Sequence, residues 1–431
     1  MADILLQIFY FARPLMFVHV PGRFLGMSPF ELGAAILMGV LAIAFLLSRS
    51  SRSRGFDSLD SMMIAFIVWC GVVTFIQSDV SDWKWSLRWT LPLVIYILLR
   101  RMVRTEKDFM RYLRRLLIGF VLLTTANAVA TFLGFGFIAT DWVTGVKRHD
   151  GIFNDVHTMA HTIGFGLMLV VIYFGLQKAA RPSIPVRHGV AMTGLVAVMV
   201  PLAFYSQVMG NVRTVVVGLL VFIGILLLMT NRRRFVVFSI GVVAVWFTST
   251  FVETIFWDVT GRSSTQGESV EMAGSGRPWI WRHNLEIYAD LPVEQKIMGI
   301  GVGNEIGVIG ANGLITSEYR YRAWESHNDF LSALMELGIV GLGILLGIFW
   351  LWYKTILRLP LASRALYMAL LGAVAVMNFL SNSYLSRFGL GQLLSMVMIG
   401  IHVVPVTQPI RTYLGEWRAQ TRYGPAGPSQ G

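Results

Sequence analysis

Four short stretches of the sequence combine arginine or histidine with other polar residues at the ends of apolar runs. They are Lys147-Arg148-His149-Asp150, Arg213, Arg277 with Arg282, and Glu325-Ser326-His327-Asn328. Arginine binds phosphate oxygens through a planar fork of donors and stays charged when it is partly desolvated. Histidine, with an unperturbed pKa of about 6.5, can accept a proton at neutral pH. These residue types favour a site that binds an anionic ligand and deprotonates a second reactant.

The rest of the chain must hold these residues in a strongly apolar setting. Of its 431 residues, 55% are apolar and only 14% are charged, and the mean hydropathy is +0.63. A soluble domain of this size carries more surface charge than this. The single cysteine, Cys70, excludes a disulfide framework and a thiolate metal cluster. The composition predicts an all-α polytopic membrane protein.

Twelve apolar stretches are candidates for membrane spans, since a helix needs about 20 mostly apolar residues to cross a bilayer. They are residues 5–20, 30–47, 62–77, 85–99, 116–138, 158–175, 189–205, 212–230, 235–251, 330–352, 365–379 and 389–404.

The placement of basic residues predicts the orientation of these spans. Alternate loops, starting after the second span, hold 22 of the 36 Lys and Arg residues, and the richer side is expected to be cytoplasmic. The net charge of +12 is therefore interpreted as a topology signal and not as a nucleic-acid surface. Both termini then lie inside, as an even number of spans requires.

This topology divides the chain into four predicted parts. Residues 1–251 contain nine spans, with an outside motif at 140–157. Residues 252–329 form one large loop on the outer face, 330–405 form the last three spans, and 406–431 form a cytoplasmic tail that is partly disordered. Within the loop, residues 277–291 have Trp281, Leu285 and Tyr288 at helical spacing, which predicts a short amphipathic helix. Gly299, Gly301 and Gly303 are interpreted as turn residues.

Several of these motifs resemble those of one family. His327-Asn328, followed after nine residues by Gly338 and then by Gly341 in ESHNDFLSALMELGIVG, resembles the histidine motif of the O-antigen ligase and polymerase superfamily. Three further segments are similar to other parts of that family: Arg148 ahead of Gly-Ile-Phe-Asn, Arg213-Thr214 at a helix end, and the loop with Gly-Ser-Gly-Arg277, Trp281 and Gly299-Ile-Gly-Val-Gly303. His157 and His161 do not fit the pattern.

The resemblance implies a glycosyltransferase of the bacterial inner membrane, with its active site on the periplasmic face. Such enzymes take a glycan from polyprenyl (undecaprenyl) diphosphate. They transfer it to a hydroxyl of the lipid A core, as a ligase, or of a second lipid-linked glycan, as a polymerase. The resemblance implies no nucleotide sugar, no metal and no other cofactor, and no nucleic acid as partner.

On this basis the candidate site has three parts. His327 is the catalytic base or positions the acceptor. The diphosphate is bound by Arg213, Arg277, Arg148 and Arg282. The supporting residues are Asn328, Glu325 and Trp281.

Plainer interpretations stay open beside these. His327 can anchor the tenth span at the membrane interface, and the arginines can contact lipid headgroups. His157 and His161, one helical turn apart, have a spacing that can bind a metal, although packing residues more often show it. At the level of function, the alternatives are a transporter or flippase of lipid-linked glycan and a structural subunit of an envelope complex.

Overall fold

The computed structural model describes most of the helical part of the chain. The described residues are 1–18, 29–48, 57–77, 83–135, 137–140, 147–153, 155–179, 186–210, 212–244, 277–305, 308, 326–383, 385 and 388–404. The side chains of residues 137–148 lie outside this description.

The described residues form a helical bundle with one short pair of strands. In chain order the elements are α1 (Ala2–Leu15), α2 (Pro29–Leu47), α3 (Ser58–Gln77), α4 (Trp83–Met102), α5 (Glu106–Phe132), β1 (Phe137–Thr140), β2 (Lys147–Gly151), α6 (Val156–Ala179), α7 (Val186–Gly210), α8 (Arg213–Thr230), α9 (232–244), α10 (Arg277–Asp290), α11 (Val293–Met298), α12 (Asp329–Leu357), α13 (Leu361–Leu380), α14 (Phe388–Met398) and α15 (Gly400–Val403).

Seven of the helices are long and apolar enough to cross a membrane. They are α3, α5, α6, the part of α7 from Met192, α8, α12 and α13, and two shorter apolar helices lie at 32–47 and 389–403. This confirms an α-helical membrane protein. Each of the twelve predicted spans overlaps a described helix. The count of twelve stays a prediction, because the two shorter helices and α1, α4 and α9 do not meet the same criteria.

The predicted fifth span, 116–138, is wrong at its end. Helix α5 stops at Phe132, and Gly134 has a φ of 73°. The N–H of Phe135 then donates to the carbonyl of Ala130 at 2.8 Å, a left-handed closure that glycine permits and that ends a helix. The next residues enter β1, which pairs antiparallel with β2. The apolar run at 137–138 therefore belongs to a hairpin, which hydropathy alone did not distinguish from the span.

Three helix pairs organise the part of the bundle that carries the candidate site. Helix α13 packs along α8, α14 along α4, and α12 along α3. Gly218 of α8 lies against Met377 of α13, where an added Cβ would be 2.4 Å from the sulfur. This close approach brings the beginning of α8 to the end of α13.

Helix α12 is interrupted at Gly338, where φ is 68° and ψ is −175°. The carbonyls of Met335 and Glu336 accept from the N–H groups of Ile300 and Gly301 at 2.9 and 3.2 Å. Trp69 Nε1 donates to the carbonyl of Leu337 at 2.9 Å. The segment after α11 thus supplies donors that the helix itself lost at the break.

Gly299, Gly301 and Gly303 all have positive φ in that segment. An added Cβ at Gly299 would lie 2.2 Å from the carbonyl oxygen of Glu336, and one at Gly338 would lie 2.2 Å from that of Ile297. The interpretation of the three glycines as turn residues is confirmed, and the close approach of two backbones explains why side chains are excluded there.

Candidate functional site

Helix α10 confirms the short helix predicted at 277–291, but its buried face differs from the prediction. Leu285 is 50% exposed, whereas Asn284 and Ile287 are buried. Ile287 packs with Ile300 and Met335, so the helix lies against the first turns of α12. The apolar spacing through Leu285 did not identify the buried face. Helix α10 packs against the beginning of α12, which carries polar as well as apolar residues.

Arg277, the first residue of α10, connects three elements. One guanidinium nitrogen donates to Thr214 Oγ1 of α8 at 3.0 Å and also to the carbonyl of Leu380, the last residue of α13. Thr214 is 4% exposed, and its neighbour Arg213 is exposed as the first residue of α8. The structure therefore brings Arg213 and Arg277, which are 64 positions apart in the sequence, to one end of the bundle.

Both arginines stand at the beginning of a helix. A helix N-terminus carries a partial positive charge, and its unpaired N–H groups bind anions. A cation at that end is unfavourable by about 0.3–1 kcal/mol unless an anion compensates it. Two N-terminal arginines at neighbouring helix ends give this region a positive potential that suits a phosphate group.

Trp281, one turn after Arg277, extends the contact to the histidine motif. Its Nε1 donates to the carbonyl of Ser326 at 2.9 Å, and its ring lies 5.1 Å from that of Phe379 between centroids. Because Ser326 directly precedes His327, the contact joins α10 to the histidine. Arg213, Arg277, Trp281 and His327 are called the His327 cluster below.

His327 has a left-handed backbone, with φ at 50°. Among the described residues it is the one non-glycine residue with positive φ. Such a conformation costs of order 1–3 kcal/mol and persists only when the surroundings enforce it. Asn328 follows as the N-cap of α12, since its Oδ1 accepts from the N–H groups of Phe330 and Leu331 at 3.0 and 3.1 Å. The predicted supporting residue Asn328 thus has a structural task.

Asp329 is a buried acid beside the histidine that the sequence analysis did not select. Its Oδ2 accepts from the N–H of Ser383 at 3.0 Å and from that of Leu385 at 3.1 Å. Ser383 also donates through Oγ to Asn378 Oδ1 at 2.9 Å. The carboxylate ties the segment after α13 to the beginning of α12, and its position next to the His-Asn pair was the available signal.

Glu305 is a second buried acid that was missed. It is 2% exposed, and its Oε1 accepts from the N–H of Ser326 at 2.9 Å. Burial, together with the nearby carboxyl group of Glu336, raises the pKa of Glu305 to about 7. The sequence offered no periodic signal for Glu305, because it follows the glycine segment and precedes no apolar span.

Glu336, two turns into α12, is the centre of a separate polar group. Arg88 of α4 forms an ion pair with its Oε1, which also accepts from the N–H of Gly303 at 3.1 Å, and Trp89 Nε1 donates to Oε2 at 2.9 Å. These four residues are called the Glu336 junction. The sequence signal for this pair was a charged residue of opposite sign in each of two apolar spans, since ionisable residues within membrane spans usually pair with one another.

The remaining predicted site residues are not brought into the His327 cluster by any described contact. Arg282 has a side chain that is 75% exposed and pairs with Glu286 at 3.1 Å on the surface of α10. Arg148 lies in β2, opposite Ala139, with its side chain outside the description. Glu325 lies outside the described residues. Their roles stay predictions.

His157 and His161 both lie on α6, and His161 is fully buried. Within the described ranges no group of three or more His, Cys, Asp and Glu side chains could hold a metal ion.

In the comparison with protein families, residues 202–346 match the model of O-antigen ligase. The matched segment runs from the last turns of α7 through the first half of α12. It contains all four residues of the His327 cluster. A comparison with curated proteins found no match.

Proposed function

We propose that this chain is a member of the O-antigen ligase and polymerase superfamily, which the match at residues 202–346 supports, and that it transfers a glycan from polyprenyl diphosphate to an acceptor hydroxyl. The donor is a polyprenyl diphosphate-linked glycan, such as one on undecaprenyl diphosphate. The acceptor is the lipid A core in a ligase or a second lipid-linked glycan in a polymerase. The reaction takes place on the periplasmic face of a bacterial inner membrane.

One observation carries the donor assignment. Arg213 and Arg277 begin two helices that meet at one end of the bundle, where Arg277 contacts Thr214. The two guanidinium groups and two helix N-termini favour a ligand with several negative oxygens. A diphosphate has that chemistry, and its lipid tail suits a site at the end of membrane-spanning helices.

The proposed reaction is a displacement at the sugar carbon bound to the diphosphate. The acceptor hydroxyl oxygen forms a bond to that carbon while the carbon–oxygen bond to the diphosphate breaks. The electron pair of the broken bond stays on the diphosphate oxygen, where Arg213 and Arg277 stabilise the developing charge. The hydroxyl proton moves to the imidazole of His327, which contributes a factor of about 10²–10⁴ as a general base.

The transporter alternative gains one supporting observation, because α12 is interrupted and broken helices are common in transporters. In transporters the carbonyls freed by such a break bind the transported ion or substrate. Here the carbonyls of Met335, Glu336 and Leu337 accept from Ile300, Gly301 and Trp69. The break therefore serves to dock a segment of the same chain, which favours the enzyme.

The test is glycan transfer by the purified full chain in liposomes. The protein receives polyprenyl diphosphate-linked glycan, with and without lipid A core, in the presence of a chelator, beside the His327→Ala variant. Glycan on the lipid A core that the variant does not form identifies a ligase, and longer lipid-linked glycans without the core identify a polymerase.

Two results would contradict the proposal. Transfer that survives His327→Ala at the wild-type rate removes the assigned base. Absence of transfer by the folded wild-type protein under both conditions, together with flipping of the donor across the liposome membrane, supports the transporter instead.

A further inference from the structure

Ser326, the residue directly before His327, is held through each of its polar groups. Its N–H donates to Glu305 Oε1 at 2.9 Å, and its carbonyl accepts from Trp281 Nε1 at 2.9 Å. Its hydroxyl is hydrogen-bonded to that of Ser332 at 2.8 Å. The hydroxyl also donates to the carbonyl of Asn328 at 3.0 Å. Among these partners, Glu305 is the acid.

The Glu305 carboxyl group comes from a firmly attached segment. Gly303, two residues earlier, donates its N–H to Glu336 Oε1 at 3.1 Å. Asn304 donates through Nδ2 to the carbonyls of Gln77, at the end of α3, and of Ile300, at 3.2 and 2.9 Å. Glu305 therefore connects Ser326 to a segment that is hydrogen-bonded to helices α3 and α12. Because it is buried, its hydrogen bond is stronger than the same bond in water.

The backbone that carries the His327 side chain lies between two hydrogen-bonded residues. Its φ is 50°, with Ser326 before it and the N-cap Asn328 after it. If Ser326 shifts, the imidazole shifts with it, and a displacement of about 1 Å in a reacting group can lower a rate by about 100-fold.

We propose that Glu305 is a positioning residue for His327, which acts by accepting the N–H of Ser326 and so directs the imidazole to the acceptor hydroxyl. This inference rests on the proposed glycan transfer. It assigns to Glu305 no contact with either substrate.

The proposal makes different predictions for kcat and for the KM of the donor. The donor diphosphate is assigned to Arg213 and Arg277, and Arg277 contacts Thr214 and Leu380, which belong to other helices. Loss of the Glu305 acceptor should therefore lower kcat while KM for the donor stays unchanged. The essential property is a hydrogen-bond acceptor at the Oε1 position, which glutamine also provides and alanine does not.

The experiment compares four full-length proteins in the liposome transfer assay: wild type, Glu305→Ala, Glu305→Gln and the control Glu294→Ala. Glu294 is an exposed residue of α11. We expect Glu305→Ala to lower kcat at least 10-fold with the donor KM within twofold of wild type. Glu305→Gln should restore kcat to within about threefold, and Glu294→Ala should match wild type.

Folding is checked by size exclusion and thermal unfolding. If Glu305→Ala does not fold, Glu305→Asp replaces it, because it keeps the acid but withdraws the acceptor by one methylene, and its kcat should lie well below that of Glu305→Gln. The inference is overturned if folded Glu305→Ala or Glu305→Asp equals the control. A loss that appears in KM alone, or that glutamine does not restore, also overturns it. Absence of transfer by wild type instead overturns the proposed function itself.

Discussion

The Glu336 junction and the His327 cluster lie about two turns apart along α12, yet they use charge differently. In the junction both carboxylate oxygens of Glu336 accept from protein donors on α4 and on the segment after α11. In the His327 cluster the charges are two arginines at helix beginnings, and Arg213 is exposed. The junction is an acid surrounded by its donors, whereas the cluster places two cations at one end of the bundle.

This difference separates the structural from the functional interpretation of charge in an apolar protein. The buried Glu336 carboxylate has donors from the chain itself on both oxygens, and removing one partner of such a buried ion pair is costly. An arginine at the beginning of a helix adds to the positive potential of that helix end, which favours the binding of an anion. We therefore expect the two regions to respond oppositely to substitution.

The largest expected effect is on stability at the junction. Glu336→Ala leaves Arg88, which is 12% exposed, buried without its counter-charge, and should lower the free energy of unfolding by about 3–5 kcal/mol. Arg213→Ala, in the cluster, should leave it within about 0.5 kcal/mol, as for exposed residues in general. Thermal unfolding of both variants in detergent measures the difference. Equal stabilities of the two would remove the distinction between the regions.

A smaller effect is expected within α10, whose two arginines differ in environment. Arg277→Ala should lower kcat/KM for the donor by about 10–100-fold, since a hydrogen bond to a charged group contributes about 1.5–3 kcal/mol. Arg282→Ala should change it less than twofold, because that side chain is exposed and pairs with Glu286. Steady-state kinetics with varied donor measures both. Comparable losses would extend the site across α10 and restore the role predicted for Arg282.

The smallest expected effect concerns Glu305, which connects the two regions. Its pKa of about 7 in the folded protein lies above the ordinary 4.5 of an unfolded chain. Folding therefore favours the protonated form, and the stability linked to it is complete below pH 4.5 and is lost as the pH rises through 7. Between pH 5 and pH 8 the wild type should lose about 1–3 kcal/mol more than Glu305→Gln. Parallel unfolding curves for the two proteins at both pH values would show that Glu305 ionises normally.

The sequence was sufficient for the helical membrane fold because hydropathy is a property of local stretches. Each predicted span overlaps a helix, and α10 was predicted from residues 277–291 alone. The error at the end of the fifth span arose because apolar residues 137–138 continue the hydropathy of α5 although Gly134 has already ended the helix. Hydropathy reports transfer into an apolar environment and carries little information about where a backbone turns.

For the candidate site, the sequence indicated residue types but could not indicate their neighbours. Arg213, Arg277, Trp281 and His327 were all selected, and the structure brings them together through Thr214 and Ser326. Asp329, Glu305 and Glu336 were not selected. These acids accept hydrogen bonds from segments between 21 and 248 positions away, and a local pattern in a single sequence does not identify such partners.

The contact between Gly299 and Gly338 has a consequence for how this region can change during evolution. In most packed contacts a larger residue on one side can be accommodated by a smaller residue on the other. Here each added Cβ meets backbone atoms at 2.2 Å. A substitution can make a side chain smaller, but it does not remove backbone atoms. Neither glycine can therefore be compensated by substitution of the other. We therefore expect the break in α12 and the segment that packs on it to be retained together or replaced together.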